Sequence, residues 1–251
     1  MKLGLQLYTV RDALAADFNG TLEAISTMAF DGVELAGNYG GMEPAGLKKY
    51  LNELGLDVAG MHLPLEALET DLEAQLHFAH AVGAKHVVCP WLDAARYASG
   101  WDSAIESLGK IARILEGEGV GFAYHNHTFE FESRVGSGYA LDAIAAAGIP
   151  LEFDIAWAHA SGVNPATYLT QHSGHVPLLH VKDVKRVNDK PGTDGWETVE
   201  LGRGSVPLRD TLEVAQAAGV EWLLLEQDQS AGDAVESVRQ SRAWYAAHKV
   251  D

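Results

Sequence analysis

The chain has 251 residues, 47% of them hydrophobic and 21% charged. That balance excludes intrinsic disorder, collagen-like repeats and a disulfide scaffold, and it supplies enough apolar side chains for a large core. Lys and Arg total 18 against 35 Asp and Glu, a formal net charge of −17 that repels nucleic-acid backbones and anionic lipid.

The lone cysteine, Cys89, cannot form an internal disulfide, and a cytoplasmic location suits it. No apolar run approaches the ~20 residues of a membrane span. The opening segment MKLGLQLYTVRDAL lacks the form of a signal peptide and reads as a first strand, Leu3–Leu7. A second strand fits Gly32–Ala36. Six times thereafter a helical stretch ends at a glycine and a short apolar run follows, at Gly55, Gly83, Gly119, Gly148, Gly174 and Gly219. Glycine after a helix is the usual left-handed stop, and short, almost wholly apolar runs suit parallel strands buried on both faces. The spacings of 28, 36, 29, 26 and 45 residues are close to the ~30 of a βαβ unit. Asn164-Pro165 and Ser205-Val206-Pro207 look like helix starts, and AGDAVESVRQSRAWYAAH reads as a terminal helix. Eight strands each followed by a helix predict an α/β fold, a (β/α)₈ TIM barrel in one domain over residues 1–251, with a doubly wound sheet as the other candidate. The longest irregular stretch, Lys185–Ser205, is a candidate lid.

In such a barrel the active site lies at the carboxyl ends of the strands. The polar residues gather there: Gln6, Tyr8 and Arg11; Glu34; His62; Trp91 and Asp93; Tyr124-His125-Asn126-His127 and Glu130; Glu152, Asp154, Trp157 and His159; His180, Lys182 and Asp183; Glu226 and Asp228. Side chains at i and i+2 share a face of a strand, so Glu152 with Asp154, His180 with Lys182, and Glu226 with Asp228 form same-side pairs. Carboxylates and imidazoles converging on one mouth need a shared cation, and Asp154, His180 and Glu226 end three successive strands. Oxygen and imidazole ligands without cysteine suit Mn²⁺, Mg²⁺, Co²⁺ or Zn²⁺. Glu34 reads as structural, and Asp183 and Asp228 read equally as members of the site or as groups that only orient neighbours or cap helices. Aromatics at the mouth, Trp91 and Trp157, suit the apolar face of a sugar.

The segments LGLQLYTVRDAL, FDGVELAGNYG, AGMHLPLE, VVCPW, YHNHTFEF, EFDIAWAHASGVNP, PLLHVKDV, LGRGSV and WLLLEQD, in this order along nearly the whole chain, resemble the sugar phosphate isomerase/epimerase group of xylose isomerase-like TIM barrels. The resemblance implies a divalent metal held by a Glu at strand five, an Asp at strand six, a His at strand seven and a Glu at strand eight. Asp154, His180 and Glu226 match the last three. The strand-five Glu is missing; Glu130 is the favoured substitute, with His125 or His127 as alternatives.

The chemistry implied is proton transfer next to a carbonyl of a keto- or aldo-sugar through an enediolate, which makes the chain a sugar isomerase or epimerase. His125, His127 or Glu226 is the expected base, and Gln6, His62, Trp157 and Lys182 the expected substrate contacts. An inosose-type dehydratase shares this metal and intermediate. A metal-dependent endonuclease conflicts with the charge of −17, and a non-catalytic sugar-binding barrel is the remaining rival. The partner is a small carbohydrate, with no nucleic acid and no membrane, and a homo-oligomer is compatible.

Overall fold

A computed structural model describes residues 1–249. Eight parallel strands close into a barrel: β1 (Lys2–Gln6), β2 (Gly32–Leu35), β3 (Asp57–His62), β4 (His86–Cys89), β5 (Gly121–His125), β6 (Leu151–Asp154), β7 (Leu178–Val181) and β8 (Trp222–Leu225). β8 pairs back onto β1, with Lys2 opposite Trp222 and Leu5 opposite Leu225. Among the described residues no helix is long and apolar enough to cross a membrane.

The repeated glycines do the work their spacing suggests. All six hold φ between 72° and 88°, a left-handed conformation that a Cβ would strain. At Gly83 the backbone N–H bonds to Ala79 O at 2.9 Å, closing the helix Leu72–Val82 before β4. Asn164 accepts from Thr167 N at 2.9 Å and starts the helix Pro165–Gln171 as expected. The terminal helix runs Ala234–His248 and is capped by Asp233.

Strand alternation separates two cores. Leu5, Val33, Val87, Phe153 and Leu179 are fully buried in the main apolar cluster, which also holds helix residues such as Leu22, Leu47, Leu108 and Leu212. Burying each large apolar side chain stabilises the fold by ~1.5–3 kcal/mol. A second cluster contains Ala123, Leu178 and Leu224. These lie two residues before His125, His180 and Glu226, on the same strands and the same face, so they form an apolar floor beneath the polar mouth.

The stretch Lys185–Ser205 is not irregular. Asp183–Arg186 pairs antiparallel with Trp196–Val199, Lys185 opposite Glu197. The Gly, Pro and Asp residues that suggest a loop are confined mainly to the turn, where Gly192–Gly195 forms a 3-10 segment. The helix expected after Ser205 begins at Leu208; Ser205 Oγ instead donates to Val184 O at 3.2 Å. Asp183 accepts from Gly202 N and Gly204 N at 2.9 Å each and from Val206 N at 3.1 Å, so this buried carboxylate anchors the returning loop.

Candidate metal centre

Register brings the mouth residues together. Asp154 on β6 is paired with His180 on β7, His125 on β5 with Glu152 on β6, and Gln6 on β1 with Glu34 on β2. Two groups of possible ligand atoms result, each lying within 4.8 Å of one another: His125, Asp154, His180 and Glu226 in an outer group, and Glu34, His62, Glu152 and His180 in an inner one. His180 belongs to both.

In the outer group each side chain is fixed from behind. Asp154 Oδ1 caps the helix Ile155–Ala160, accepting from Ala156 N and Trp157 N at 2.9 Å each. Asn126 grips the Asp154 backbone, accepting from its N–H at 2.9 Å. This leaves Oδ2 without a hydrogen bond, in ionic contact with Lys182 Nζ at 2.9 Å. His125 Nδ1 lies 3.3 Å from Pro90 O, which can only accept, so Nδ1 carries the proton. Its Nε2 is buried and has no hydrogen-bond partner among the described residues. Glu226 Oε2 lies 2.8 Å from His180 Nδ1 and 2.7 Å from Lys182 Nζ. An orphaned buried imidazole nitrogen beside two carboxylates and a second imidazole is a donor set that fits a divalent cation. Lys182 touches the same two acids, so a bound cation shares them with its ammonium.

The charges are strongly coupled. Burial raises the Asp154 pKa, but Lys182 and then His125 outweigh it and bring it down to about 2. Burial disfavours the Lys182 ammonium, yet Asp154, Asp228 and Glu226 together hold its pKa well above 10.5. Burial likewise lowers His62, but Glu34 and Glu152 dominate and raise it to about 10. His127 behaves oppositely: burial, with His125 and Lys182 nearby, pushes its pKa well below 6.5, so its imidazole is neutral. Its Nδ1 has no hydrogen-bond partner among the described residues.

Above the outer group is a cavity of about 410 Å³, whose walls include Tyr8, Arg11, His62, Trp91, His125 and His127. Trp91 and Tyr8 remain half-exposed at its rim. Arg11 is engaged, donating to Tyr8 O at 2.9 Å and Asp228 O at 2.7 Å.

The sequence-read residues fall in different places. Asp154, His180 and Glu226 converge. Glu130 stands outside both groups: its Oε1 accepts from Tyr124 OH at 2.6 Å and its Oε2 from His127 N at 2.8 Å, which ties down the turn after β5. Burial pushes its pKa up to about 7, against the hydrogen bond from Tyr124. His125 takes the strand-five place in the outer group. Trp157 is a core residue rather than a wall of the cavity, its ring 5.0 Å from Lys182 Nζ. Gln6 is fully buried and donates to Glu34 Oε2 at 2.7 Å, beneath the cavity. Lys182 is also fully buried. Glu34, read as structural from the sequence, is a member of the inner group. Its side-chain partners lie up to 146 positions away, and only its place at the end of a strand hinted at the site.

Comparison with known proteins places this geometry in a family. The inosose dehydratase of Clostridium beijerinckii is 25% identical over 247 residues, covering 82% of each chain. Among solved structures, a sugar phosphate isomerase/epimerase from Parabacteroides distasonis superposes with a TM-score of 0.81 at 18% identity, over 98% of this chain and 94% of that one. The IOLI protein with a bound zinc atom gives 0.77 at 16% identity, over 98% and 97%. Residues 22–248 match the sequence profile of the xylose isomerase-like TIM barrels, and the chain belongs to that family.

Proposed function

We propose that this protein is a divalent-metal-dependent enzyme that removes the proton next to a carbonyl of a sugar or cyclitol. The observation that carries the proposal is the outer group: His125, Asp154, His180 and Glu226, all buried, at the carboxyl ends of four consecutive barrel strands and at the base of an open cavity. These four side chains would hold a cation, which would supply Lewis acidity for polarising a substrate carbonyl.

The chain's own residues divide the remaining work. His127 lines the cavity with an unpartnered Nδ1 and is the proposed base. Lys182 stays charged and offsets the carboxylates of Asp154, Glu226 and Asp228, keeping the acidic mouth compatible with an anionic intermediate. Trp91 and Tyr8 offer flat apolar surfaces to a sugar ring at the rim. A volume of about 410 Å³ suits a small-molecule ligand such as a monosaccharide or cyclitol.

Returning the proton to the neighbouring carbon gives an isomerase, and returning it to the opposite face an epimerase. Loss of a β-hydroxyl instead gives a dehydratase, the reading favoured by the likeness to an inosose dehydratase. Incubation with keto-sugars and inososes in D₂O with added Mn²⁺ separates the three. The proposal expects either an isomeric sugar carrying solvent deuterium at the carbon that is reprotonated, or loss of the proton beside the carbonyl together with the β-hydroxyl to give an absorbing enone. Neither exchange nor enone formation with any keto-sugar or inosose counts against it.

A further inference from the structure

Beneath the outer group, four buried or nearly buried side chains form a closed ring. His180 Nε2 lies 2.9 Å from Glu34 Oε2 and 3.1 Å from Glu152 Oε2. His62 Nε2 closes the ring on the same two oxygens, at 3.2 and 2.8 Å. Nitrogen and oxygen therefore alternate around it. Gln6 Nε2 donates to Glu34 Oε2 at 2.7 Å from the side. The position of Glu34 is also fixed sterically: a Cβ on Gly60 would lie 2.6 Å from Glu34 Oε1, so only glycine on β3 leaves room for this carboxylate.

The geometry points to Glu34 and Glu152 as positioning residues that decide which nitrogen of His180 faces the cation. An ionised carboxylate can only accept, so the nitrogen between these two must carry a hydrogen. That nitrogen is Nε2. Nδ1, on the other edge of the ring, lies 2.8 Å from the single carboxylate of Glu226 in the outer group and carries a hydrogen there too; with the Nε2 hydrogen held by two carboxylates, Nδ1 is the nitrogen that would release its proton and turn its lone pair to a cation. Two carboxylates behind one imidazole hold its plane and make the opposite nitrogen a better donor, as outer partners of metal-bound histidines do generally. His62 Nε2 holds the same two carboxylates from the other side. The inference rests on the cation reading of the outer group, and it assigns the inner group a different role: an orienting frame rather than a metal site of its own.

Zinc, being diamagnetic, serves as the probe. Calorimetric titration with Zn²⁺ compares the wild-type chain with Glu34→Leu and Glu152→Leu, which remove the acceptor, and with Glu34→Gln and Glu152→Gln, which keep an acceptor oxygen. The expected result is one zinc per chain, affinity weakened roughly 10–100-fold in each Leu variant and largely restored in the Gln variants. Nitrogen-15 NMR of the zinc-loaded wild type is expected to show His180 protonated on Nε2 and metal-bound through Nδ1, a readout that survives if a Leu variant fails to fold. Wild-type affinity in folded Leu variants, or coordination through Nε2, overturns the inference. So does binding of two zinc ions, one of them lost in Glu34→Leu. A wild-type chain that takes up no zinc and no manganese instead overturns the cation reading on which it stands.

Discussion

The two ends of the barrel both carry a cavity, and they differ in what they do with charge. The opposite end has a cavity of about 370 Å³ lined in part by His86, Arg113, Glu116 and Glu221. There Arg113, Glu116 and Glu221 are exposed to water, and His86 Nδ1 is bonded to Ala59 O at 3.1 Å. At the mouth, Glu34, Glu152, Asp154, His180 and Lys182 are fully buried. Burying a charge is costly unless it is paired, so a fold keeps such a group only where something answers it. A hollow lined by hydrated side chains needs no ligand; a packed set of buried acids, imidazoles and an ammonium, with unpartnered nitrogens on His125 and His127, is where one fits.

Breaking the mouth should have the largest effect. Asp154→Ala or His180→Ala is expected to remove bound metal and abolish turnover, with metal content read by elemental analysis; full occupancy in either variant contradicts the assignment. Next comes His127→Ala, expected to lower kcat by about 10²–10⁴-fold while metal content stays at the wild-type level. Unchanged kcat removes His127 from the reaction.

Glu130 sharpens the comparison through pH. Its carboxyl titrates at about 7 in the folded chain, above the ordinary value of 4.5, so the folded state binds the extra proton. Stability therefore falls as pH rises from about 4.5 to 7 and the cost persists above that, by up to ~3 kcal/mol. Glu130→Gln should flatten this slope in urea titrations taken across that range, with metal binding retained.

Smaller effects are expected at the rim and the far end. Trp91→Ala, which removes an exposed stacking surface, should raise KM roughly 2–10-fold with little change in kcat. Glu221→Ala or Arg113→Ala at the opposite cavity should leave both kinetic constants unchanged and shift stability by no more than ~0.5 kcal/mol.

The barrel was legible because its determinants are local. Glycines that end helices and short apolar runs that follow them recur along the chain, and each is read within a dozen residues. Asp154, His180 and Glu226 were legible for the same reason: each sits at the end of its own strand, and barrel closure brings three successive ends together. The inner ring was not. Glu34, His62 and Glu152 meet His180 only through strand register, including a shift between Val33 and Glu34 where β2 pairs with β3. Glu130 misled because the helix Phe129–Glu132 turns its carboxylate back toward Tyr124 and the His127 amide. The side chain that reaches the outer group, His125, comes from the strand itself.

The most direct measurement is anomalous X-ray diffraction from crystals grown with Mn²⁺. A manganese peak is expected within coordination distance of His125 Nε2, Asp154 Oδ2, His180 Nδ1 and Glu226 Oε2. Crystals that show no peak there, with Lys182 still bridging Asp154 and Glu226 at saturating manganese, contradict that expectation.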